Sequence, residues 1–200
     1  MHQILRKGLI ILGVLMGLAL PARAAGLDAM TAERVLGKAD APVTIIEYAS
    51  LTCPHCAAFH RDVLPQLKAK YIDTGKVKLL FRDFPLDGRA TLAAMVARCA
   101  PPDRYFGFVD ALFRGQAQWG RAEEPKKALA QLAKLGGMSD AEIDACFKNE
   151  ALLQAVNASR AKGESEFKVE STPSFIVNGK KEDSARTFES FEKILKPLVK

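Results

Sequence analysis

The sequence predicts an α/β domain carrying a long, all-helical insertion, and three observations predict it. Val43-Thr44-Ile45-Ile46-Glu47-Tyr48-Ala49 and Val77-Lys78-Leu79-Leu80-Phe81-Arg82-Asp83 are strand-length apolar runs on either side of a helical pattern. A strand, helix, strand order of this length makes a βαβ unit with parallel pairing. From Arg89 to about Lys162 the apolar residues recur at helical spacing, and strand-like sequence returns only at Ser174-Phe175-Ile176-Val177.

The chain opens with the form of a secretory signal over residues 1–24. Arg6 and Lys7 precede an apolar stretch from Gly8 to Leu20, and Ala22-Arg23-Ala24 comes next as a small-x-small cleavage site. The stretch is too short for a bilayer core that needs about 20 apolar residues, so cleavage before Ala25 and export are expected. Removing Arg6, Lys7 and Arg23 lowers the formal charge from +6 to +3. That charge is scattered among acids, and no nucleic-acid partner is expected. Residues 25–41 read as a leader, with a turn of helix at Ala32 to Leu36 and a chain turn from Gly37 to Pro42. The leader is too short for an oligomerisation module, so a monomer is expected. The main domain then runs over 42–200.

The first strand delivers the chain to Thr52-Cys53-Pro54-His55-Cys56, and Cys56, Phe59, Val63, Leu67 and Tyr71 recur at helical spacing. Pro54 suits the first turn of a helix, where its missing N–H costs nothing. Pro65 is expected to kink the helix. Unpaired N–H groups and the positive end of the helix dipole favour a Cys53 thiolate. Cys53 is therefore the expected nucleophile, and Cys56, one turn deeper, the resolving thiol. His55 is expected to add positive charge beside the thiolate. Cys53, Cys56 and His60 also have metal-ligand spacing, but no second Cys/His pair completes a zinc module, so no metal is expected.

The Cys-Pro-His-Cys tetrapeptide, set between a buried strand and a helix, resembles the active site of DsbA-family thiol:disulfide oxidoreductases of the thioredoxin superfamily. The similarity runs from about Gly37 to the C-terminus. It implies a thioredoxin fold with a helical subdomain inserted over about 89–165, and a protein of the bacterial periplasm.

Within the insertion, Leu92, Met95, Val96 and Cys99 share one helical face, and Phe106, Val109 and Phe113 another. Pro125 opens a helix closed by Gly136-Gly137. Ser139-Asp140-Ala141-Glu142 has capping-box form, ahead of Ile143, Cys146 and Phe147. Cys99 and Cys146 are expected to form a structural bridge, because disulfides persist in an oxidising compartment. Asn157-Ala158-Ser159 matches a glycosylation acceptor but lies in a helical pattern and is given no function.

Thr172-Pro173 precedes the last apolar run, and Asn178-Gly179 marks a hairpin turn. The resemblance implies that Pro173 is cis, faces the dithiol and keeps metal away from it. It also implies that the backbone of Thr172 pairs with an extended substrate. A closing helix from about Phe188 to Lys196 packs Phe188, Phe191, Ile194 and Leu195 inward. Glu47 stands six positions before Cys53 in an apolar strand, where an ionised carboxylate is costly. It is expected to exchange a proton with Cys56, as the buried acid of thioredoxin relatives does, and Arg82 is a candidate partner for it. The expected function is disulfide donation to secreted proteins, with a DsbB-like quinone-linked membrane partner and no dissociable cofactor. An isomerase or reductase on the same fold is the nearest alternative, and a metal- or peptide-binding module a more distant one.

Overall fold

The computed structural model describes residues 26–199. The signal read over residues 1–24 lies outside them. Among the described residues no helix is long and apolar enough to cross a membrane.

Helix α1 (Leu27–Thr31) and strand β1 (Arg34–Leu36) occupy the leader, and β1 pairs antiparallel with the strand at Val77–Asp83 through Val35 and Leu80. The sequence predicts a helical turn at Ala32 to Leu36; the chain instead places its helix earlier and adds a strand to the sheet edge. Gly37 comes next at φ +103°, and a Cβ there would stand 2.7 Å from a methyl of Ile72. Only glycine fits that turn.

Strands β2 (Val43–Ala49) and β3 (Val77–Asp83) have the expected bounds and pair in parallel. Between them one helical run holds α2 (Pro54–Ala58), a π-helical segment (Phe59–Val63), α3 (Leu64–Leu67) and a second π segment (Lys68–Ile72). A π turn inserts an extra residue and so rotates the rest of the helix about its axis. Leu64 is accordingly buried where the simple spacing favours Val63, which is only partly buried. Pro65, which has no N–H to give the ladder, sits just after the first π segment.

The insertion consists of α4 (Gly88–Cys99), α5 (Tyr105–Arg114), α6 (Gln116–Trp119), α7 (Pro125–Leu135), α8 (Asp140–Phe147) and α9 (Glu150–Phe167). Helix α4 buries far more than one stripe: Ala90, Ala93, Ala94, Met95, Val96, Ala97 and Arg98 are all covered. Its alanines let neighbours approach from several sides. The Ser139–Glu142 capping box forms, and Cys99 and Cys146 are bonded, with Cα atoms 6.1 Å apart.

The chain returns through β4 (Ser174–Val177), antiparallel to β2, then β5 (Lys180–Lys181) and α10 (Phe188–Leu195). The five strands lie in the order β1-β3-β2-β4-β5. Alternation sorts their side chains between two layers. Ile45, Leu79, Phe81, Phe175 and Val177 belong to the main core with Cys56, Phe59, Leu67 and Phe191 of the redox and closing helices. Ile46, Tyr48, Leu80 and Ile176 form the opposite layer, which α9 covers. There α9 approaches so closely that a Cβ on Gly163 would meet the Tyr48 ring at 2.8 Å. Glu47 shares its parity along β2 with Ile45, so the strand register points it toward the redox helix.

Candidate active site

Strand β2 ends at Ala49, and the chain crosses to α2 at the carboxyl end of the sheet, where open α/β folds place their chemistry. Cys53 occupies the N-cap of α2 with extended backbone (φ −80°, ψ 121°), and Pro54 opens the first turn. The free N–H groups of His55 and Cys56 face the Cys53 sulfur without closing a capping bond to it. Cys53 and Cys56 are free thiols, both buried, with Cys56 fully enclosed.

Two elements distant in sequence close over Cys53. The Thr172–Pro173 peptide is cis. The Cys53 sulfur lies 3.3 Å from the Thr172 carbonyl oxygen, to which it donates when protonated. The Thr172 hydroxyl is buried with no hydrogen-bond partner of its own, and it favours the thiolate. Arg186 Nη1 donates to the Pro173 carbonyl at 2.9 Å and steadies this loop.

The two sulfurs are driven apart in acidity. Cys53 is lowered to about 5, first by the hydrogen bond from Cys56 and then by Thr172 and the N–H groups of Cys56 and His55, against the opposing cost of burial. Cys56 is pushed far up, first by burial, then by donating to Cys53 and by the nearby Glu47 and Cys53 charges. At neutral pH the pair is a Cys53 thiolate held by a Cys56 thiol.

Glu47 is wholly buried, as the apolar strand predicts, and one of its oxygens, Oε1, has no hydrogen-bond partner. The other, Oε2, lies 3.0 Å from His60 Nε2. Arg82, expected as a candidate partner, turns elsewhere: its guanidinium grips both oxygens of Glu33 and donates to the Tyr48 hydroxyl. Residue parity explains this, because Arg82 alternates with Phe81 and faces the α9 side of the sheet. The His60 ring is committed to Glu47, and among the described residues no three His, Cys, Asp or Glu side chains lie close enough to hold a metal ion. His55 is exposed, and the group it brings to the sulfur is its backbone N–H.

Sequence reasoning misses four contributors, one of them the Arg186 that steadies the Thr172 loop. Gln116 of α6 donates to the Leu51 and Cys53 carbonyls at 2.8 and 3.0 Å, tying the insertion to the redox loop. Thr52 donates to Asp87, the residue whose side chain also caps α4. The sequence presents His60 only as a metal ligand, although its place four residues after Cys56 puts both on one helical face. Nothing in the local pattern around Gln116 or Arg186 signals their contacts, which span more than sixty residues in one case and thirteen in the other.

A groove of about 520 Å³ runs beside the pair, lined by His55, Phe59, Val63, Thr172, Phe175 and Arg186 among others. Fold and site together define a dithiol redox protein of the thioredoxin class. Comparison with known proteins narrows the class: a family model described as thioredoxin matches residues 30–197. The crystal structure of Wolbachia pipientis alpha-DsbA1 superimposes with a TM-score of 0.77 at 31% identity, covering 83% of this chain and 90% of that one. Disulfide bond formation protein D of Bacillus subtilis is 28% identical over 183 residues, 88% of this chain and 79% of the relative. A Rickettsia bellii protein with the provisional name protein-disulfide oxidoreductase is 32% identical over 148 residues, 74% of this chain. The match takes in only 57% of that relative's length. The chain belongs to the DsbA family of the thioredoxin superfamily.

Proposed function

We propose that the protein is a thiol:disulfide oxidase that donates the Cys53–Cys56 disulfide to exported proteins in the periplasm. The observation that carries this reading is the split between the two sulfurs: a Cys53 thiolate stabilised by N–H groups and Thr172, beside a deeply buried Cys56. A stabilised thiolate lowers the free energy of the reduced form and makes the disulfide the stronger oxidant.

A substrate thiolate attacks Cys53 Sγ, the Cys53–Cys56 bond breaks, and Cys56 leaves. Being buried, the Cys56 sulfur must be protonated as it leaves, and Glu47 is the acid in reach. A second thiolate on the substrate attacks its own mixed-disulfide sulfur and expels Cys53 as a stable thiolate. The substrate gains a disulfide, and the protein keeps two electrons and one proton. Thr172 and Pro173 offer backbone to an extended substrate strand over the adjoining groove. Reoxidation falls to a membrane partner of the DsbB type that passes the electrons to quinone. The protein works as a monomer.

Oxidase is separated from isomerase or reductase by the equilibrium potential of Cys53–Cys56 against glutathione, measured with Cys99 and Cys146 replaced by Ser. A value well above about −200 mV is expected, and one near the thioredoxin value of about −270 mV would exclude the oxidase. Glu47→Gln is expected to slow exchange most at high pH, where no other proton source reaches Cys56. Rates unchanged across pH would remove Glu47 from the mechanism.

A further inference from the structure

A buried acid that trades protons with Cys56 must itself be recharged and discharged at every turnover. Glu47 is 0% exposed and has no direct contact with solvent. Its hydrogen-bonding neighbour is His60, whose Nε2 meets Glu47 Oε2 at 3.0 Å. His60 stands apart from the apolar side chains around it. Its ring is walled by Phe59, Phe81 and Phe113, the last with centroids 4.4 Å apart. On another side it lines a cavity of about 300 Å³ shared with Ala57, Arg61, Pro65, Asp110 and Arg114. The Arg61 and Arg114 side chains are 69% and 78% exposed, so the cavity opens to bulk water on the face of the redox helix away from the Thr172 loop.

We propose that His60 is the proton conduit of the redox site, carrying protons between Glu47 and this second cavity so that the buried thiol is served from a side the substrate does not occupy. The proposal rests on the Glu47 reading and adds the route. The aromatic walls flank the ring, which leaves the imidazole as the polar group between Glu47 and the cavity. Imidazole suits the task because one ring nitrogen can accept while the other donates.

The balance is complete in both half-reactions. When Cys56 leaves as a thiolate, Glu47 gives it a proton, His60 returns one to Glu47, and water in the cavity restores His60. When an oxidant disulfide accepts attack by Cys53, the Cys56 proton travels the opposite way, and the resulting Cys56 thiolate closes on Cys53. The charged and titratable groups facing His60 are Glu47 from β2, Cys56 and Arg61 from its own helix, and Asp110 and Arg114 from α5. The buried Tyr105 hydroxyl, which has no partner, lies beyond Phe81. Asp110 and Arg114 pair with each other at 2.8 Å and frame the mouth.

His60 is thus a positioning and relay residue acting through Glu47, and the test is a pH profile with chemical rescue. The rate at which the oxidised protein is reduced by a dithiol peptide is measured by stopped flow from about pH 5 to about 8, the range in which an imidazole titrates. His60→Gln keeps a side-chain donor near Glu47 but cannot relay a proton, and a slowing of about tenfold or more is expected, growing with pH. His60→Ala should be slow alone and recover with free imidazole. Pyrazole, which fills the same space but is not protonated in this range, should not restore it.

Equal recovery by both heterocycles would show that His60 only fills space, and would overturn the proposal. So would a His60→Gln profile that overlays the wild type. The two readings fail differently: a slow Glu47→Gln with a normal His60→Gln removes the conduit alone, whereas a normal Glu47→Gln removes both. A Glu47→Gln, His60→Gln double variant should be no slower than Glu47→Gln.

Discussion

Three helices of the insertion, α4, α8 and α9, are closed at their N-termini by side chains, whereas the helix that carries the dithiol is left open. Asp87 accepts from the Ala90 N–H, Ser139 and Glu142 cap each other's turn, and Asn149 accepts from Leu152. The Trp119 indole donates to the Leu112 carbonyl, and Cys99–Cys146 ties α4 to α8. At α2 the N-cap is Cys53, which makes no side-chain capping bond. Glu47 Oε1 and the Thr172 hydroxyl are buried without partners. Unmade hydrogen bonds cost stability. Here they are the groups that await a charge on sulfur or a proton in transit, so the insertion carries stability while the open helix end carries reactivity.

The contrast breaks most visibly at the nucleophile. Cys53→Ser should cut disulfide exchange by more than about a thousandfold, while thermal unfolding, read by circular dichroism below about pH 5 where the Cys53 thiolate no longer contributes, stays close to that of the reduced wild type. The complementary change is joint replacement of Cys99 and Cys146 by Ala. It should lower unfolding free energy by about 4 kcal/mol in the chain-entropy model, given the 47-residue separation. Urea titration checks the loss, and the Cys53–Cys56 pair should still exchange.

Smaller, and specific to the open end, is the pH dependence of the reduced form. A Cys53 acidity depressed to about 5 contributes stability that is complete above the unfolded thiol value and is lost as pH falls through 5. At pH 7 this is at most about 3 kcal/mol in favour of the reduced protein, and solvent near the sulfur lowers it. Denaturation of the reduced and oxidised forms should therefore diverge as pH rises from 5. Parallel curves would mean that the open helix end does not hold the thiolate. The smallest effect belongs to a closed end: Ser139→Ala should cost about 1 kcal/mol of stability and leave exchange rates untouched.

The strands of the βαβ unit are legible because each is a solid apolar run, and α2 because Pro54 and the paired cysteines mark its start. The capping box at Ser139 is legible for the same reason: its signal is local. The π segments are not. They show no separate residue signature, and their effect appears only as the exchange of Val63 for Leu64 in the core. Strand β1 is hidden because Arg34-Val35-Leu36 is short and begins with a cation, which is buried here by donating to backbone carbonyls of Met30 and Arg98. The buried pairing of Arg98 with Asp83 is equally invisible, since it joins an insertion helix to a strand fifteen positions earlier. The site divides along the same line. Cys53, Cys56, Thr172 and Glu47 come from motif and strand, whereas His60, Gln116 and Arg186 take their roles from contacts made across the fold.

The Cys53 sulfur and the Thr172 carbonyl are 119 positions apart, with the whole insertion strung between them. The reactive centre is therefore a clasp fastened by the last part of the chain to arrive. Reactivity reports on that fastening: loosening β4 from β2 would take away the Thr172 contribution and move the Cys53 thiol part of the way back toward its ordinary value. The full acid shift is in this sense a signature of completed assembly, one that a thiol-reactive dye at low pH would read in a single step.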